Sequence, residues 1–247
     1  MAPGLRRPAL APAPDAAVKS DPVLSLSRRV ICELLGTAFL LVAVAGSGIL
    51  AERSALGNIG IALLANSLAT AAALYVLIEW LGPISGAHLN PLVSLMLGIS
   101  GDVRWTAVGA YVPAQVVGAL AGVAIANLMF DLPAFELSIN LRSSPSHWLG
   151  EFVSTFGLVG VLWVCTRLRP TSLAAVVAAY IGGGFWFTPT GFANPAATLA
   201  RAFTNSFSGI GLTEVPVFIA AEVTGAFAAV LIFSWILPMS QPLDCSN

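Results

Sequence analysis

The sequence predicts an all-α membrane protein in which six spanning helices and two re-entrant half-helices form an inverted repeat. Three observations predict this class. Of 247 residues, 57% are hydrophobic and only 9% charged, so a water-soluble fold would be short of polar surface. Two stretches, Ser85-Gly-Ala-His-Leu-Asn-Pro-Leu-Val-Ser-Leu and Thr188-Pro-Thr-Gly-Phe-Ala-Asn-Pro-Ala-Ala-Thr-Leu-Ala-Arg, each set an Asn-Pro pair inside apolar sequence. The two halves of the chain also repeat, motif by motif.

The elements follow in order. Met1 to about Pro22 is rich in Ala and Pro, holds Arg6, Arg7 and Lys19, and has no apolar run long enough for a signal-peptide core; residues 1–27 are expected to be a disordered cytoplasmic tail. Arg29 to about Leu50 is apolar and long enough to cross a hydrocarbon core ~30 Å thick, as is about Asn58 to Leu81. Past the first Asn-Pro segment, the third span runs from about Trp105 to Phe130 and the fourth from Trp148 to about Arg167. Ser172 to Phe187 is the fifth and Glu214 to Leu237 the sixth. One domain, residues 28–240, thus contains repeats 28–130 and 148–240, with a short tail at 241–247.

Each Asn-Pro pair reads as a helix start, with Asn90 or Asn194 at the N-cap and Pro91 or Pro195 at the first helical position, where a missing N–H costs nothing. A helix that begins at membrane depth points unsatisfied N–H groups and the positive end of its dipole at a water-filled cavity or at protein, never at lipid. Two such starts predict a pore.

The repeat is read from three anchors. Glu33-Leu-Leu-Gly-Thr matches Glu151-Phe-Val-Ser-Thr, Asn90-Pro-Leu-Val-Ser-Leu matches Asn194-Pro-Ala-Ala-Thr-Leu, and Ala114-Gln-Val-Val-Gly-Ala matches Ala221-Glu-Val-Thr-Gly-Ala. An odd number of spans in each half makes the second half run in the opposite sense, so the broken segments meet near the midplane. With the N-terminus inside, Arg6, Arg7, Lys19, Arg28, Arg29, Arg104, Arg167 and Arg169 are cytoplasmic and only Arg53, Arg142 and Arg201 lie outside; this asymmetry places both termini in the cytoplasm of a multi-pass protein of the cell membrane. The connection from Asp131 to His147 is then extracellular.

Other classes find no support. A net charge of -1 argues against a nucleic-acid partner. Cys32, Cys165 and Cys245 have no metal or redox spacing, and no nucleotide loop or catalytic triad is visible, so neither metal, cofactor nor enzymatic activity is expected.

Ser85-Gly-Ala-His-Leu-Asn-Pro and Phe192-Ala-Asn-Pro-Ala, set among six spans with Glu33 and Glu151 opening the first and fourth, resemble the aquaporin and aquaglyceroporin (major intrinsic protein) family. The resemblance covers about Arg28 to Leu237. It implies a passive channel for water or small neutral solutes in the lipid bilayer, assembled as a homotetramer with one pore per subunit. The physics is consistent with this: the amide N–H groups of Asn90 and Asn194 can donate to a passing oxygen while their carbonyls cap their own helices, and two positive helix ends aimed at one point disfavour cations.

The chain departs from the family pattern twice. The first signature ends in Leu92 where the family has Ala, as Ala196 does in the second; and the arginine that usually follows the second signature is replaced by Ala197. By the family's spacing the other filter positions are Thr70, Gly182 and Gly191. Thr, Gly, Gly and Ala imply a wide constriction suited to glycerol-like solutes, or to neutral metalloid acids such as arsenite, as in bacterial relatives with an Asn-Pro-Ala-Val-Thr-like signature. Water-selective or weakly proton-permeable conduction is the alternative reading. Arg201, seven residues after Asn194, stands on nearly the same helical face and either restores the charge higher in the vestibule or caps the half-helix C-terminus, the second being preferred.

Glu33, Glu151, Gln115 and Glu222 are polar groups in apolar spans. Their equivalent positions favour bracing of the re-entrant loops over proton relay, and His88 is read as a further brace rather than a pH gate. Gly118 and Gly225 are read as helix contacts. A proton-coupled transporter would share this architecture but needs Glu33 or Glu151 to titrate in an accessible site, and a purely structural membrane protein is the third reading.

Overall fold

The backbone of the computed structural model is described for residues 24–142 and 144–238. Residues 1–23 of the tail expected at 1–27, the tail expected at 241–247, and Cys245 lie outside the described residues. Helix α1 (Leu26–Ser54) begins two residues inside the stretch expected to be tail. Then come α2 (Ile59–Ser85), α3 (Pro91–Ile99), α4 (Trp105–Met129), α5 (Pro145–Leu168), α6 (Leu173–Phe187), α7 (Pro195–Ala200) and α8 (Val215–Ile236). Among the described residues six segments are long and apolar enough to cross a membrane: α1, α2, α4 and α5, α6 taken with the turn before it (Pro170–Phe187), and α8 taken with the turn before it (Leu212–Ile236). Their outward faces carry side chains such as Leu68, Leu231 and Trp235, which a bilayer accommodates and water would not.

The inverted repeat is built from matching close contacts. Gly118 on α4 lies against the carbonyl of Leu34 on α1, and Gly225 on α8 lies against the carbonyl of Phe152 on α5, so a Cβ at either glycine would strike backbone. Leu34 and Phe152 each follow the buried glutamate of their repeat. Small residues at both crossings let the backbones approach, which is how helices associate where lipid is as apolar as the side chains. A further contact of α2 with α6 joins the halves.

Part of the connection expected from Asp131 to His147 packs on the second half-helix loop. Glu136 and Ser138 donate their backbone N–H groups to the carbonyls of Phe203 and Ala202, Asn140 Nδ2 donates to Ser206 O, and Asn140 O accepts from Gly211 N. It is thereby laid across the 201–211 segment that follows α7.

Candidate functional site

The two half-helices are capped as their sequences require. Asn90 Oδ1 accepts from Leu92 N at 2.9 Å, and Asn194 Oδ1 accepts from Ala196 N at 3.1 Å and Ala197 N at 3.4 Å, with Pro91 and Pro195 opening the helices. The amide nitrogens do something further. Asn90 Nδ2 donates to Ala193 O at 2.7 Å, and Asn194 Nδ2 donates to Leu89 O at 2.9 Å. Each asparagine therefore ties its own loop to the opposite one, and of two amide hydrogens one is left for the pore.

The loop backbones leading to these caps are strained. Gly86, Ala87 and Leu89 in the first, and Gly191 and Ala193 in the second, have positive φ, between 45° and 93°, a region that costs non-glycine residues on the order of 1–3 kcal/mol each. Buried carboxylates hold it. Glu33 Oε1 accepts from Ser85 Oγ at 2.7 Å and His88 N at 3.0 Å, and its Oε2 accepts from Leu89 N and Gln115 Nε2, both at 2.8 Å. Glu151 Oε1 accepts from Thr190 Oγ1 and from Phe192 N at 3.0 Å, and Oε2 accepts from Ala193 N at 2.9 Å. Glu222 Oε1 accepts from Asn194 N at 3.2 Å and from Thr198 Oγ1, while its Oε2 is buried without a partner among the described residues. All four groups are wholly buried, in bracing positions on the loops rather than in the cavity wall.

A cavity of about 280 Å³ runs past both asparagines. One wall is apolar and built from i, i+4 stripes: Thr70, Leu74 and Ile78 on α2, Leu158, Leu162 and Thr166 on α5, and Leu173, Val177, Ile181 and Phe185 on α6. The re-entrant loops form the polar side, with His88, Asn90, Gly191 and Asn194. His88 is held by a 2.9 Å Nδ1 contact to Ser94 Oγ and an edge contact with Tyr111, so it braces the loop and lines the cavity together.

Of the expected filter positions, Thr70, Gly191 and Ala197 line this cavity. Gly182 does not, and that expectation is corrected: a Cβ there would sit 2.9 Å from Ala71 Cβ, so this glycine faces α2 and makes room for the helix contact. Leu92 is also absent from the cavity wall, being buried in the core instead, so the larger residue in the first signature does not narrow the passage.

Arg201 stands at the C-terminus of α7, as the preferred reading has it, but its side chain does not cap that helix. Its Nε donates to Ser208 O, a carbonyl of the following loop, and not to the last turn of α7. Its guanidinium carbon lies 3.4 Å from the centroid of the Phe192 ring, and the side chain lines both the main cavity and an outer cavity of about 250 Å³. Phe185 and Phe192 also line both. The join between the cavities is thus two aromatic rings and one arginine. Sequence spacing missed Phe185 and Phe192; the α6 stripe from Leu173 to Phe185 was the available signal for the first. The outer cavity adds Arg142, whose Nε and Nη2 donate to Gly209 O at 2.8 Å and Phe207 O at 2.6 Å. Burial pushes the Arg142 guanidinium down from its ordinary value, with Glu214 and Glu52 opposing that shift.

Six spans, two cross-tied half-helices and a cavity between them define a membrane channel. The family model described as Major intrinsic protein matches residues 22–188, and the chain belongs to that family. It is 46% identical over 219 residues to aquaglyceroporin AqpS of Rhizobium meliloti (strain 1021), covering 88% of this chain and 94% of the relative. The glycerol uptake facilitator protein of Bacillus subtilis (strain 168) is 32% identical over 199 residues, covering 71% of this chain and 70% of that one. Among solved structures, the aquaglyceroporin from Plasmodium falciparum superposes with a TM-score of 0.68 at 26% identity, over 87% of this chain and 98% of the other. The chain is an integral membrane protein and a passive channel for small neutral solutes.

Proposed function

We propose that the chain conducts polyols of glycerol size and neutral metalloid acids such as arsenite, as well as water, through one pore in each subunit of a homotetramer. One observation carries this reading: the passage is two-faced along its length. A carbon skeleton can slide along Leu74, Ile78, Val177, Ile181 and Phe185 while hydroxyls meet the spare amide hydrogens of Asn90 and Asn194 and the guanidinium of Arg201. Arsenous acid offers three hydroxyls and no charge, as glycerol does. Thr70, Gly191 and Ala197 keep the level below Arg201 free of large side chains.

The location proposed is the plasma membrane with both termini cytoplasmic. Arg53, bonded to Phe130 O, and Arg142, bonded to Phe207 O, belong to the end left with few cations. Arg167, paired with Asp102 at 3.4 Å, belongs to the end expected to face the cytoplasm.

Flux in vesicles holding the purified protein tests the proposal. A channel gives glycerol entry proportional to its gradient and indifferent to an imposed pH gradient. Uphill accumulation driven by that pH gradient would instead establish the proton-coupled transporter.

A further inference from the structure

The geometry points to a binding site for a small soluble oxyanion in the outer cavity, held between Arg142 and Arg201. This inference rests on the reading of that cavity as the channel's outer vestibule. Two arginines line a space of about 250 Å³, and Arg201 is only 6% exposed. A buried guanidinium is costly unless a negative group or a set of acceptors meets it. Among the described residues Arg201 has one acceptor, Ser208 O at Nε, the face of the Phe192 ring on one side, and no carboxylate within ion-pair distance.

Donor accounting favours an anion over a neutral ligand. Thr188 and Thr190 have given their hydroxyl hydrogens to Gly184 O and Glu151, Trp186 its indole N–H to Ser67 Oγ at 3.1 Å, and Asn66 both amide hydrogens to Val44 O and Ser47 Oγ. What is unspent is cationic: both terminal nitrogens of Arg201 and Nη1 of Arg142. The nearby carboxylates are engaged elsewhere, Glu52 accepting from Phe207 N at 3.1 Å and Glu214 from Arg142 N at 2.7 Å, and neither lines the cavity. Planar guanidinium forks suit tetrahedral or planar oxyanions such as phosphate, arsenate or a carboxylate. An anion seated there would stand in the solute's path.

Calorimetric titration of inorganic phosphate into the detergent-solubilised protein, at a fixed background of chloride, tests the site. Saturable binding with Kd on the order of 1 mM is expected, weakened about tenfold or more in Arg142→Gln and in Arg201→Gln and unchanged in Arg167→Gln at the other end. Because either glutamine variant could fail to fold, the wild type is also labelled with methylglyoxal and mapped by mass spectrometry. Phosphate should protect Arg142 and Arg201 but not Arg167. Absence of saturable phosphate binding, or labelling of Arg142 and Arg201 that phosphate leaves unchanged, would overturn the site. Glycerol flux measured on the same preparation separates the two readings: flux without phosphate binding removes the anion site alone, and binding without flux removes the channel reading alone.

Discussion

Arg201 lays its guanidinium on the ring of Phe192, with 3.4 Å between the guanidinium carbon and the ring centroid. Phe192 in turn is fixed through its backbone N–H, which Glu151 Oε1 accepts at 3.0 Å. Arg201 stands one helical turn beyond Ala197, the position at which the family resemblance leads one to expect an arginine, and is stacked on an aromatic of the same loop. Ala197 itself lines the cavity with a small side chain.

A positive charge at the join should repel cations. At an effective dielectric constant of about 20, one charge acting over about 10 Å is worth roughly 1.7 kcal/mol. Arg201→Ala is therefore expected to raise sodium conductance in planar bilayers by roughly twentyfold. An unchanged conductance would place the cation barrier at the asparagines alone.

Removing the cross-tie should loosen both loops. Asn90→Ala deletes a cap worth about 1 kcal/mol and the bond to Ala193 O, worth about another 1 kcal/mol. Thermal unfolding in detergent should show a loss of about 2 kcal/mol, with reduced glycerol flux. Asn194→Ala should cost a similar amount, because its bonds mirror those of Asn90.

The two repeats differ at one brace. Gln115 gives Glu33 an N–H, whereas Glu222, at the equivalent place beside Glu151, is a carboxylate with none to give; among the described residues Gln115 Oε1 and Glu222 Oε2 are both buried without a partner. Glu222→Gln supplies a donor there while keeping the amide oxygen for Asn194 N and Thr198 Oγ1. It should stabilise the fold by about 1 kcal/mol, read as a higher unfolding midpoint; a lower midpoint would show that the second carboxyl has a role the first repeat lacks.

Helix crossings at Gly225 and Gly118 leave no room for side chains. Gly225→Val should cost about 1–3 kcal/mol or more through overpacking against the Phe152 carbonyl. The same change at Gly109, where nothing lies within 4 Å, is the control and should leave the unfolding midpoint nearly unaltered.

Much of this was legible in the chain because the signals are local. Apolar length marks a span, and an Asn-Pro pair in apolar sequence marks a buried helix start, whatever surrounds them. Glu33 and Glu151 were identified as braces because a strained loop at membrane depth needs buried acceptors. What was not legible depends on rotation and on long-range bonds. Gly182 is the position that the family's spacing offers, but the turn of α6 in the bundle is set by packing on α2, and this puts Ile181 and Phe185 on the cavity wall. The place of the Arg201 side chain is not legible because it is decided by Ser208 O, seven residues on in a loop that the 131–142 segment, Asn127 and Glu52 hold in place.

Stopped-flow light scattering on proteoliposomes, comparing water, glycerol and neutral arsenite in the wild type and in Ala197→Arg, tests the central claim most directly. The open level between Asn194 and Arg201 predicts that the wild type passes all three, and that the added arginine suppresses glycerol and arsenite while sparing water. A wild type that passes water alone, with no change on Ala197→Arg, would contradict it.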